Sequence, residues 1–134
     1  MGWQVYVAVT LGSALGGLAR YVTANAFSAT IGGTFPWGIL FINILGSFVI
    51  GFFATLSATD GRIAVSEATR QFVTAGICGG FTTFSAFSLQ TLNLMRDEDW
   101  LGAGGNVVGS VALCLIAVWL GHLAAVALNQ VKGA

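Results

Sequence analysis

Apolar residues run along this chain in four long blocks, separated by three short polar stretches. In Trp3 to Phe27 the only charge is Arg20, and Trp37 to Ala58 carries none. Phe72 to Met95 and Leu101 to Leu128 complete the set. Each block reaches the roughly 20 residues that a helix needs to cross a hydrocarbon core. The pattern predicts an all-α integral membrane domain over residues 1-134, with transmembrane helices at 3-27, 37-58, 72-95 and 101-128. Trp3, Trp37 and Trp100 stand near span starts, where amphipathic rings favour the headgroup level.

The connections leave no room for a soluble domain. Ser28 to Pro36 holds Gly32, Gly33 and Pro36, which stop one helix and start the next. Thr59 to Gln71 collects Asp60, Arg62, Glu67 and Arg70, and the third connection is Arg96-Asp97-Glu98-Asp99. Function is therefore expected inside the membrane or at its faces. No basic region precedes the first block and no small-residue cleavage site follows it, so it reads as a span, not a cleaved signal.

The third block differs from the others. Gly76, Gly79, Gly80, Thr82, Thr83 and Ser85 fall within ten residues at mid-span. Glycine costs a helix about 1 kcal/mol relative to alanine, and Ser and Thr offer the backbone alternative hydrogen bonds. A break inside the bilayer is expected here; a closely packed helix without a break is the simpler alternative. Non-helical backbone at that depth survives only where protein or a water-filled cavity covers it. Released carbonyls then suit a cation, while N–H groups and hydroxyls suit an anion. Phe81, Phe84 and Phe87 recur every three residues, by default a packing stripe. Their ring edges carry partial positive charge and could also face an anion.

Composition removes the soluble alternative: 56% of residues are hydrophobic and 7% charged, against about 25% charged in ordinary domains. A net charge of zero gives no case for nucleic acid. Cys78 and Cys114 lie in apolar stretches without metal-ligand spacing, and His122 has no partner at ligand spacing, so all three read as packing residues. With no nucleophile–base pair and no phosphate loop, an enzyme is not expected. No Asp or Glu lies in an apolar core, where proton-coupled and cation-binding carriers place one. Asn43, at the centre of span two, either bonds two helices together or lines a polar path with its amide. Arg20 either snorkels to the interface or faces a vestibule.

Arg62, Arg70 and Lys132 oppose Arg96 and Arg20 across the membrane. That is a weak positive-inside signal, compatible with a slight bias or with insertion in both orientations. Gly12/Gly16, Gly76/Gly80 and Gly105/Gly109 are spaced for close helix approach. Four short spans enclose little room, which favours a homo-oligomer of unspecified stoichiometry.

Gly79-Gly80-Phe81-Thr82-Thr83-Phe84-Ser85-Ala86-Phe87-Ser88 resembles the signature of the small fluoride-exporting channels of the CrcB/Fluc family. Gly16-Gly17-Leu18-Ala19-Arg20-Tyr21, Pro36-Trp37-Gly38 with Asn43 and Gly46, and Val118-Trp119-Leu120-Gly121 agree with it, so the resemblance covers nearly the whole chain. It implies an antiparallel, dual-topology homodimer in the cell's inner (plasma) membrane, with two symmetric pores passing fluoride passively outward. The implied fluoride pore is lined by Phe84 and Phe87, with Asn43 as donor and the Thr83, Ser85 and Ser110 hydroxyls nearby. The resemblance further implies a structural sodium ion on the dimer axis, held by the backbone carbonyls of Gly79 and Thr82, and Arg20 in the vestibule. Two positions depart from the family pattern. Asn106 stands where a tyrosine often precedes the serine at Ser110, and Gln90 where many relatives have a carboxylate.

Two other readings compete. A small proton-coupled multidrug antiporter expects a buried glutamate in span one, which instead holds Arg20. An anchoring subunit of a larger complex would move no ion alone.

Overall fold

Lipid cannot satisfy a peptide group, so a spanning chain closes its backbone bonds within helices. The computed structural model describes residues 2–132 in this way, with no strand among them. The order is α1 (Trp3–Thr30), α2 (Trp37–Leu56), α3 (Glu67–Gln71), a π-helical segment (Phe72–Cys78), α4 (Gly79–Phe81), α5 (Phe84–Arg96) and α6 (Trp100–Lys132). Residues 67–96 form one interrupted span, giving four helices long and apolar enough to cross a membrane.

Local chemistry sets the ends. The third span starts at Glu67, inside the stretch read from sequence as loop, because Ser66 caps it: its Oγ accepts the Thr69 N–H at 3.1 Å. Gly32 and Gly33 turn the first connection at φ +64° and +79°. α5 ends at Arg96, and two residues on the chain turns at Glu98 (φ 59°), whose N–H donates to the Met95 carbonyl at 3.1 Å. Asp99 then starts α6, its Oδ1 accepting the Gly102 N–H at 2.8 Å.

Glycine decides how the helices meet, since lipid provides no hydrophobic drive between them. α2 packs along α6 through Gly51 and Gly121, where an added Cβ would strike the Val118 and Phe48 carbonyls. α1 lies on the third span, Gly12 and Gly16 facing Gly76 and Gly80; a Cβ on Gly12 would sit 2.9 Å from the Gly76 Cα. Added Cβ atoms at Gly105 and Gly109 would meet nothing within 4 Å, so among the described residues that pair serves no helix contact. The buried core is small: Ile39, Ile42 and Phe87, with Ala24, Phe81 and Ala86 against it. Val5, Leu40 and Leu94 are buried as well, but many large apolar side chains face outward, as the lipid solvent requires (Leu101 is 90% exposed).

Polar contacts add a few ties. Thr55 Oγ1 and His122 Nδ1 bond at 2.8 Å between α2 and α6. Arg62 and Arg70 donate to the Leu128 and Ser57 carbonyls at 2.9 and 3.2 Å, at the C-terminal ends of α6 and α2, where the helix dipole favours a cation.

Candidate functional site

Two extended residues interrupt the third span. Thr82 (φ −76°, ψ 158°) and Thr83 (φ −156°, ψ 119°) separate α4 from α5. A continuous helix would give the Thr83 N–H to the Gly79 carbonyl and the Ala86 N–H to the Thr82 carbonyl. Side chains take both instead. Asn43 Oδ1, reaching across from α2, accepts the Thr83 N–H at 2.8 Å, and Thr83 Oγ1 caps α5 by accepting the Ala86 N–H at 3.1 Å. The carbonyls from Gly79 to Thr82 all lose their helical donors at the break, and of these residues Gly79 and Thr82 border the adjoining cavity.

Asn43 completes its grip by donating Nδ2–H to the Thr83 carbonyl at 3.1 Å, so one side-chain amide holds both polar groups of one residue. Gly46, on the same face of α2, leaves space for the Thr82 methyl, which an added Cβ would strike. Arg20 turns inward and donates Nη1–H to the Thr82 carbonyl at 3.2 Å. Snorkelling does not describe it, since its guanidinium is bound to the break. Both alternatives for Asn43 keep some force: it bonds two helices, and its second N–H has no protein partner among the described residues.

Beside the break lies an open cavity of about 420 Å³. Asn43, Thr83, Phe84, Phe87 and Ser110 all line it, brought there by α2, the broken span and α6. Gly79 and Thr82 border it as well. Among the described residues, its lining carries no charged side chain. The rings of Phe84 and Phe87 lie 5.3 Å apart at 48°. Phe87 is 9% exposed and Phe84 77%, so one ring packs in the wall while the other stands on the protein surface. Ser85 is exposed and bonds Thr83 Oγ1 at 3.1 Å; of the two hydroxyl hydrogens one closes that bond and the other is free.

The site also contains residues that sequence reading missed or gave another role. Cys78 and Cys114 are both free thiols on the cavity wall, one on the broken span and one on α6. Gly46 falls three residues after Asn43, a spacing that places both on one helical face and could have marked it. Thr91 had no signal of its own; it is buried and accepts the Asn106 Nδ2–H at 3.0 Å. Gln90 stands apart from the cavity, in a small polar recess beside Gly32 and Gly33, with Oε1 buried and unpartnered.

Could these residues hold a cation? The Gly79 and Thr82 carbonyls are hard oxygen donors, freed from the ladder and bordering one cavity, which fits an alkali ion. One chain supplies two such oxygens, and Thr82 shares its own with Arg20. A complete coordination shell needs oxygens from a second source.

A family model described as "CrcB-like protein, Camphor Resistance (CrcB)" matches residues 7–122. The "Fluoride-specific ion channel FluC" of Opitutus terrae is 58% identical over 130 residues, covering 97% of this chain and 98% of that protein. The protein of the same name from Methylocella silvestris is 57% identical over 129 residues, 96% and 98% of the two chains. That of Paramagnetospirillum magneticum is 59% identical over 125 residues, 93% and 98% of the two. With the family model running from the first span into the fourth, and relatives aligned over nearly their whole lengths, this multi-pass membrane protein belongs to the CrcB family.

Proposed function

We propose that the chain is a fluoride-selective channel of the plasma membrane that lets cytoplasmic fluoride leave down its gradient. The observation that carries the reading is the cavity where Asn43, Thr83, Phe84, Phe87 and Ser110 converge without a charged group. Fluoride is small and strongly hydrated, so a pore must replace its water with close donors. The second Asn43 N–H, the free hydrogen of the Thr83–Ser85 pair, the Ser110 hydroxyl and the ring edges of Phe84 and Phe87 are those donors. Arg20 brings positive charge to the break without entering the cavity wall. A carboxylate for proton coupling is missing from the lining among the described residues, which favours passive flow over an antiporter.

The working unit in this reading is an antiparallel homodimer with two pores. Phe84, 77% exposed in one chain, is covered there by the second subunit. The Gly79 and Thr82 carbonyls of both subunits hold a sodium ion, which when bound supplies positive charge that keeps the released carbonyls together. Proteoliposomes loaded with fluoride test the proposal. Wild type releases fluoride rapidly, and Phe84→Ile and Phe87→Ile each slow release by about tenfold or more, an aromatic-edge contribution of about 1.4 kcal/mol. Purified, intact dimer that moves no fluoride would sink the idea.

A further inference from the structure

The family reading treats Ser110 as a donor, but in this chain its proton has a direction that the surrounding bonds fix. Thr91 Oγ1 donates to the Phe87 carbonyl at 2.8 Å. Its hydrogen is thereby used, so towards Asn106 it can only accept. The Asn106 amide must then present Nδ2–H to Thr91, at 3.0 Å, and Oδ1 to its other neighbour. That neighbour is Ser110, whose Oγ lies 3.3 Å from Oδ1 and donates to it. The relay runs Ser110 to Asn106 to Thr91 to the Phe87 carbonyl, every hydrogen pointing away from the cavity. Asn106 is 1% exposed, behind the wall, while Ser110 lies on it.

We propose that Asn106 is a positioning residue that holds the Ser110 proton away from the cavity, so that an anion reaching Ser110 meets oxygen lone pairs until it takes that proton from Oδ1. The bond is the longest of the three at 3.3 Å, well beyond the usual hydroxyl distance, so an anion can draw the proton back at modest cost. Asn106 therefore tunes how strongly Ser110 binds the permeating ion, without touching the ion itself. The proposal rests on the fluoride-channel reading and concerns a residue that reading leaves unassigned.

Two substitutions release Ser110 by different routes. Asn106→Leu removes the competing acceptor while keeping the branched four-atom shape of the Asn side chain. Thr91→Val, close to isosteric, removes the acceptor that orients the amide, so Asn106 turns and donates to Ser110 instead. Fluoride efflux is measured for wild type, for each variant, and for each combined with Ser110→Ala. The factor by which Ser110→Ala slows efflux is expected to grow by roughly threefold to tenfold in both backgrounds, the net worth of one hydrogen bond. A purely packing role for Asn106 leaves that factor unchanged. The same factor in every folded background overturns the proposal while the channel reading stands; if only one variant folds, the factor in that background decides. A folded wild type that carries no fluoride overturns both.

Discussion

Asn43 uses both ends of its amide on Thr83, and for the Thr83 N–H there is no substitute acceptor within the third span. Removing that side chain leaves the Thr83 N–H without its acceptor, at about 1–3 kcal/mol for an orphaned buried group, while the Thr83 carbonyl, preceding α5, keeps its bond to the first turn of that helix. Asn43→Ala is expected to lower unfolding stability by about 1–3 kcal/mol, read as the thermal midpoint in detergent. It should also speed hydrogen exchange at the Thr83 amide specifically, since its acceptor is Oδ1. Unchanged exchange there would mean the break is held by something else. The sequence showed Asn43 as an oddity in an uncharged span and left two roles open, because a lone polar residue does not reveal its partner 40 positions away. Arg20 was equally visible and equally ambiguous: its distance from the span's end suggested snorkelling, whereas the freed Thr82 carbonyl offered a nearer acceptor.

The third span shows how far composition reaches. Its glycines predicted weakness between Gly76 and Ser85, and the interruption falls inside that window. It does not fall at a glycine. Gly76 and Gly80 are used on the approach to α1, while the extended residues are threonines whose bonding options lie elsewhere. The π-helical segment preceding the break had no sequence signal, since its wider turns depend on neighbouring helices. Packing roles of glycine are testable as a contrast. A Cβ at Gly16 would strike the Ile77 carbonyl and lie 2.8 Å from the Phe81 nitrogen. Gly16→Ala should therefore cost about 1–3 kcal/mol, the range for overpacking, and pull Arg20, one turn on, away from Thr82. Gly105→Ala meets open space within the chain and should gain up to about 1 kcal/mol of helix propensity. Thermal melts of both variants check this; a loss at Gly105 that disappears in the monomer would place that face at a subunit contact.

At the scale of the molecule, the single chain exposes the Phe84 ring and sets the Gly79 and Thr82 backbone at the edge of an open cavity, the two features that the proposed dimer would cover. Its charges give only a weak positive-inside signal. Arg62 and Arg70 are tied to backbone carbonyls at helix ends, and the Lys132 side chain lies outside the described residues. Asp97→Cys, in a background without Cys78 and Cys114, should react with an impermeant maleimide in about equal halves from the two sides of the membrane, as a weak positive-inside bias allows. Labelling from one side alone would remove the antiparallel arrangement and leave transport to be explained otherwise. The grip of Asn43 on Thr83 also bears on how the protein is made. A segment alone in lipid has only its own carbonyls for its N–H groups, so the third span enters the bilayer as an uninterrupted helix. On that basis it opens at Thr82 and Thr83 when Asn43 of α2 takes up the Thr83 N–H. A chain stalled before α2 docks on the third span would then be inserted and helical, without the cavity that Asn43 and Thr83 line together.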